Sequence, residues 1–188
     1  MVAGVAIVVA GALLHFVYGW SSRNALVGLV SPVNESVWEH TKLLVVPLVV
    51  AGVVEAVLLR DVRRVAWAVL VESLLGALAI VAVFYTYTGA FGTGPVLWVD
   101  ITTFILIVAG GQWVHLRVLA SRRFPPGVVS VLGVLAVLAL YAAFTVSPPD
   151  LPVFQPGSSV PAGPGRNRST VFLAWPADRL AAGRDRDQ

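Results

Sequence analysis

The chain has 188 residues, 57% of them hydrophobic and only 12% charged, with a mean hydropathy of +0.84. That balance excludes an ordinary soluble domain and makes lipid the natural solvent. The absence of cysteine excludes disulfides, thiolate ligands and cysteine nucleophiles, and the formal charge of +3 rests on arginines at loops and in the tail, a pattern that reports membrane orientation and not nucleic-acid binding.

Taken in chain order, apolar runs long enough to cross a hydrocarbon core of about 30 Å fall at about 2–20, 41–59, 65–88, 96–116 and 126–146. An all-α, polytopic helical membrane protein of about five transmembrane helices is expected, with a transmembrane domain over 1–146 and an extracytoplasmic Pro/Gly/Arg-rich tail over 147–188. The first run starts at Val2 with no basic stretch before it and no small-residue cleavage site before Arg23, so it reads as a retained span. Between the first two runs lies SPVNESVWEHTK, residues 31–42, a dense group of polar residues. Arg60, Asp61, Arg63 and Arg64 close the second run. An uncharged turn of Gly89, Gly92, Gly94 and Pro95 follows the third, and Arg117, Arg122, Arg123 and Pro125-Pro126 precede the fifth. The tail from Gln155 has the composition of a disordered segment, within which TVFLAWPADRLAAG is a candidate short surface helix.

Arginine bias makes the loops after the second and fourth spans cytoplasmic. The N-terminus is then inside and the tail outside, and three motif-like stretches fall on the outer face: SPVNESVWEHTK, FYTYTG (84–89) and SPPDLPVF (147–154).

An ionisable side chain at the centre of a span costs roughly 2.5–3.5 kcal/mol on insertion scales, so each needs a partner or a wet cavity. Gly4, Val8, Gly11, His15 and Tyr18 form one seam that turns His15 toward other helices. Glu72, Gly76, Ala79, Val83 and Thr86 share a face in the third span, as do Asp100, Thr103, Ile107 and Gly111 in the fourth. Two polar zones result. The inner holds Glu55, Glu72, Gln112 and His115, where snorkelling or carboxylate–histidine pairing would satisfy the charges and a proton relay is the less favoured reading. The outer holds His15, Tyr18, Glu35, Glu39, His40, Lys42, Tyr85, Tyr87 and Asp100.

Ser31-Pro32 is a suitable helix start, with Asn34 as an alternative cap. In a helix begun there Glu35, Glu39 and Lys42 form one stripe at i, i+4 and i+7, with His40 about 100° from Glu39. A metal site would need a break in that helix, or His40 and the glutamates serving different shells around the ion. His15, Glu35, Glu39, His40 and Asp100 are the candidate ligands for a divalent metal. Glu35, Glu39, Asp100 and Tyr85 are the candidate catalytic groups, with Tyr85 or Tyr87 positioning a substrate. The structural alternative is a Glu39–Lys42 ion pair, Trp38 as an interfacial anchor, and Glu35 interacting with a helix start. The sequence has no paired-histidine signature, dinucleotide fingerprint or phosphate-binding loop.

SPVNESVWEH, FYTYTG and PPDLPVF together resemble a family of small prokaryotic multi-pass membrane proteins known as a domain of unknown function, over roughly residues 10–154. The resemblance implies a cell-membrane, multi-pass protein and carries no activity. A looser likeness to membrane hydrolases of the alkaline ceramidase type lies in the Glu, Asp, Ser and His residues at one membrane face, although the chain lacks their paired histidines in a late span.

Three functions follow as expectations. The foremost is a noncatalytic membrane component that docks a membrane-protein partner, or a second copy of the chain, through its outer loops and Trp38. The others are a metal-dependent or acid/base hydrolase of a lipid-like substrate, and an ion or small-solute transporter using Glu72. The lipid bilayer is the expected partner throughout, and nucleic acid is not.

Overall fold

The computed structural model describes residues 2–156. Six helices follow one another: α1 (Val2–Trp20), the single turn α2 (Ala25–Gly28), α3 (Val37–Leu59), α4 (Val62–Phe91), α5 (Leu97–Ala120) and α6 (Gly127–Val146), then a 3-10 turn at Pro152–Phe154. The expected disorder of the tail and its candidate surface helix concern residues outside those described, apart from the first few.

Among the described residues five helices are long and apolar enough to cross a membrane, and the chain is a multi-pass membrane protein. Their outward faces carry apolar side chains such as Val5, Leu13, Val57, Leu78, Leu106 and Leu132, while buried ionisable groups face inward. That distribution suits lipid around the bundle.

The longest helix, α4, is the hub, packing against α3, α5 and α6, while α1 lies against α3 and α5. Ile7, Leu44, Leu48, Val65, Val69 and Val108 form an apolar layer at the centre. Close approach of α1 to α3 requires glycine at position 11, where a Cβ would stand 2.5 Å from the Leu43 carbonyl oxygen.

The helix ends differ from the hydropathy limits where local hydrogen bonding decides. The third span runs back to Val62, because Asp61 accepts from the Arg64 amide, and forward through Gly89 to Phe91, where Gly92 at φ +60° stops it. The start of α3 corrects the sequence expectation more consequentially. Ser36, not Ser31 or Asn34, is the cap, its hydroxyl accepting from the Glu39 amide, while the Asn34 side chain accepts from the Ser36 amide and turns the chain into the helix. Glu35 therefore lies before α3, and the predicted Glu35–Glu39–Lys42 stripe does not form.

Ser31 is used elsewhere. Its hydroxyl donates to the Leu14 carbonyl (2.6 Å) and accepts from the Tyr18 amide (3.2 Å), bridging one rung of α1. The loop is thus fastened to the last turns of the first span. Residues after α6 fold back so that Phe154 is buried against Trp38 and Phe144, at ring separations of 5.0 and 5.3 Å. Trp38, half-buried, also packs at a tilt on Tyr141 at 4.7 Å, so its ring holds the returning chain against α6.

Candidate functional site

At the end of the bundle carrying residues 31–42, the polar groups divide into two sets. The first is buried and built around Lys42. Its ammonium donates to Glu39 Oε2 (2.6 Å), Thr145 Oγ1 (2.6 Å) and the Gly28 carbonyl (3.0 Å), using all three donors. Glu39 also accepts from the Val33 amide at 2.9 Å. With Lys42 at 0% and Glu39 at 2% side-chain exposure, this ion pair is closed to solvent and ties α2, the loop, α3 and α6 together. Beside it the Tyr141 and Thr41 hydroxyls lie 2.7 Å apart, and Thr41 donates to the Trp38 carbonyl.

The second set opens outward. His15, Glu35 and His40 each offer one ligand atom, all within 4.8 Å of one another. Glu35 Oε2 is 3.3 Å from His40 Nε2, and Glu35 Oε1 is 3.8 Å from His15 Nε2. Two ligands about 2.0–2.1 Å from a tetrahedral ion are separated by about 3.3 Å; the His40 contact has that spacing, the His15 contact is made to the other Glu35 oxygen, and closing all three groups on one ion requires them to draw together from within 4.8 Å. His40 Nδ1 lies 2.8 Å from the Ser36 carbonyl, an oxygen that can only accept. Nδ1 therefore carries a proton, and Nε2 is the atom that faces Glu35, able to donate to the carboxylate as imidazolium or to bind a metal as neutral imidazole, with the Ser36 carbonyl as the second contact that metal-bound histidines make. His15 Nδ1 is buried without a hydrogen-bond partner. The imidazoles are 5.4 Å apart between centroids, and Glu35 is 69% exposed.

Of the sequence candidates, His15, Glu35 and His40 are thus brought together. Glu39 is held by Lys42, and Asp100 accepts from the Tyr87 hydroxyl at 2.7 Å, whose oxygen accepts in turn from the Val96 amide. Asp100 thereby fixes the turn between α4 and α5 and lies outside the three-residue cluster. Tyr85 packs edge-on against Phe84. Ser31, Ser36 and Thr145 had no sequence signal beyond residue type, because each role depends on a backbone or helix brought close by folding.

The inner zone assembles as a connected set. His115 Nδ1 lies 2.8 Å from Glu72 Oε2 and His115 Nε2 lies 2.8 Å from Glu55 Oε2, while Gln112 donates to both oxygens of Glu72. Both imidazole nitrogens face carboxylates, so the three ionisable groups share two protons and one net negative charge, whichever atoms carry the protons. Glu72 has room because position 111 is glycine: a Cβ there would stand 2.7 Å from Glu72 Oε1. Carboxylate–histidine pairing, one of two ways expected to satisfy this zone, is the one found.

The chain belongs to a family of unknown function (DUF6512), which matches residues 1–161. No curated protein and no solved structure matches it.

Proposed function

We propose that this membrane protein binds a first-row divalent ion through His15, Glu35 and His40 and uses it to hydrolyse an amphiphilic substrate at the membrane surface. The convergence of three ligand atoms from α1, α3 and the loop between them, on a part-exposed surface, carries the reading. Two imidazoles and one carboxylate suit zinc best, and three protein ligands leave a position open, as catalytic zinc requires, whereas structural zinc is closed by four. Such an ion supplies Lewis-acid chemistry toward a carbonyl or phosphoryl oxygen.

The chain's own groups orient the site. Ser36 fixes the His40 ring through its carbonyl, and the Ser31 bridge to α1 holds the loop that carries Glu35 next to His15. An apolar cavity of about 200 Å³ at the same end, lined by Tyr18, Leu26, Leu29, Val33 and Val146, has the size and character for part of an acyl chain.

Docking of a partner through Trp38 loses support because that indole is already packed against Tyr141, Phe144 and Phe154. A solute pathway loses support because Lys42 and Glu55 are about 20 Å apart along α3, with the apolar layer of Leu44, Leu48 and Val69 between them.

The test is elemental analysis and cobalt spectroscopy of the detergent-purified full chain. About one zinc per chain is expected, with tetrahedral cobalt bands on substitution, and both are lost in His15→Ala and His40→Ala. Equal metal content in those variants and wild type would sink the site. A metal-loaded protein inert toward ester, amide and phosphodiester amphiphiles would reduce the function to metal binding alone.

A further inference from the structure

The opposite end of the bundle carries six arginines, and they are not equivalent. Arg63 donates to the Phe124 and Pro125 carbonyls, fastening the loop after α5, and Arg64 pairs with Asp61 at 3.0 Å. Arg117 and Arg123 meet no carboxylate among the described residues and instead line a groove of about 340 Å³ with Trp67, Trp113, Val118 and Ser121. The Arg117 guanidinium sits 4.6 Å over the Trp113 ring. A guanidinium held over an indole in a cation–π contact still has N–H donors to offer an oxyanion.

The groove is graded along the α5 axis. Trp113 precedes Arg117 by four residues, about 6 Å deeper in the helix, so indole lies toward the acyl region and guanidinium toward the headgroup region. We propose that this groove binds the phosphate headgroup of an anionic glycerophospholipid, with Arg117 and Arg123 on the phosphate and Trp67 and Trp113 along the glycerol and upper acyl chains. Two indoles and a valine are a poor lining for a free hydrated anion but suit an amphiphile whose charge is at one end. The site is independent of the metal cluster, which lies at the other end of α1 and α3.

The test is native mass spectrometry of the delipidated full chain titrated with phosphatidylglycerol, phosphatidylcholine or inorganic phosphate. Phosphatidylglycerol is expected to bind selectively. R117Q/R123Q should weaken it about 25-fold, about fivefold per arginine. R60Q/R122Q removes the same charge from the same end without touching the groove and should bind as wild type. Equal loss in that control would replace the site with diffuse attraction and overturn the proposal. So would equal binding of phosphatidylcholine, and competition by inorganic phosphate at comparable concentration would overturn the lipid assignment in favour of a soluble anion.

Discussion

Replacing Lys42 by Met tests whether the buried half of the polar motif is structural. The ammonium is fully buried and makes three contacts of 2.6–3.0 Å, one of them the ion pair. Methionine conserves the volume but leaves the Glu39 carboxylate, at 2% exposure, with the Val33 amide and a weaker Thr145 contact at 3.3 Å. Removing one partner of a buried pair strands the other charge, at a cost of about 3–5 kcal/mol. The double variant E39L/K42M removes both charges, leaving chiefly the Val33 amide and Gly28 carbonyl short of partners. It should lie within about 2–3 kcal/mol of wild type, since an apolar replacement for a buried ion pair is often tolerated while each unmet polar group costs about 1–3 kcal/mol. Reversible denaturation in micelles, followed by fluorescence of the neighbouring Trp38, reads both. K42M within about 1 kcal/mol of wild type, or a double variant less stable than K42M, would refute the assignment.

Other substitutions probe the remaining assignments. Asp100→Asn keeps an acceptor for Tyr87, so zinc content should match wild type; loss of the metal would return Asp100 to the ligand set. His115→Leu leaves Glu55 and Glu72 without the imidazole between them and should cost about 3–5 kcal/mol, with H115L/E72Q recovering part of it in the same denaturation assay. Gly11→Ala drives a Cβ against the Leu43 carbonyl and should destabilise by about 1–3 kcal/mol, whereas Gly19→Ala meets nothing within 4 Å and should be neutral or mildly stabilising.

The spans and the inner zone were legible in the sequence for the same reason. A membrane penalises every unpaired charge, so four polar residues at one depth in three spans have few places to go, and Glu55, Glu72, Gln112 and His115 meet as a set. The outer zone was grouped too generously by the same reasoning. Depth can be counted along a helix, but position around the bundle depends on which helices are neighbours. Asp100 shares its depth with His15 and Glu35, yet it stands on α5 beside Tyr87 of α4, while His15 faces the α1–α3 side. The return of Phe154 onto Trp38 was likewise invisible, since its partners come from α3 and α6.

The start of α3 decided most of the rest. The caps expected in SPVNES are Ser31 and Asn34, and propensity ranks Ser36, the cap that forms, almost equally with them. A start at Ser31 would stack Glu35 and Glu39 at i, i+4, a like-charge pair costing a few tenths of a kcal/mol even in water, with Lys42 left to serve both. A start at Ser36 separates them: Glu39 turns inward to Lys42, and Glu35, outside the helix, can approach His40 from a direction no helical stripe allows. The same start puts the Ser36 carbonyl one turn before His40, where it accepts from Nδ1–H and aims Nε2 at Glu35. One capping choice therefore gives each carboxylate its own partners, a buried ammonium for Glu39 and two imidazoles for Glu35, and α3 stays unbroken through Glu39 and His40, so those two residues share no ion.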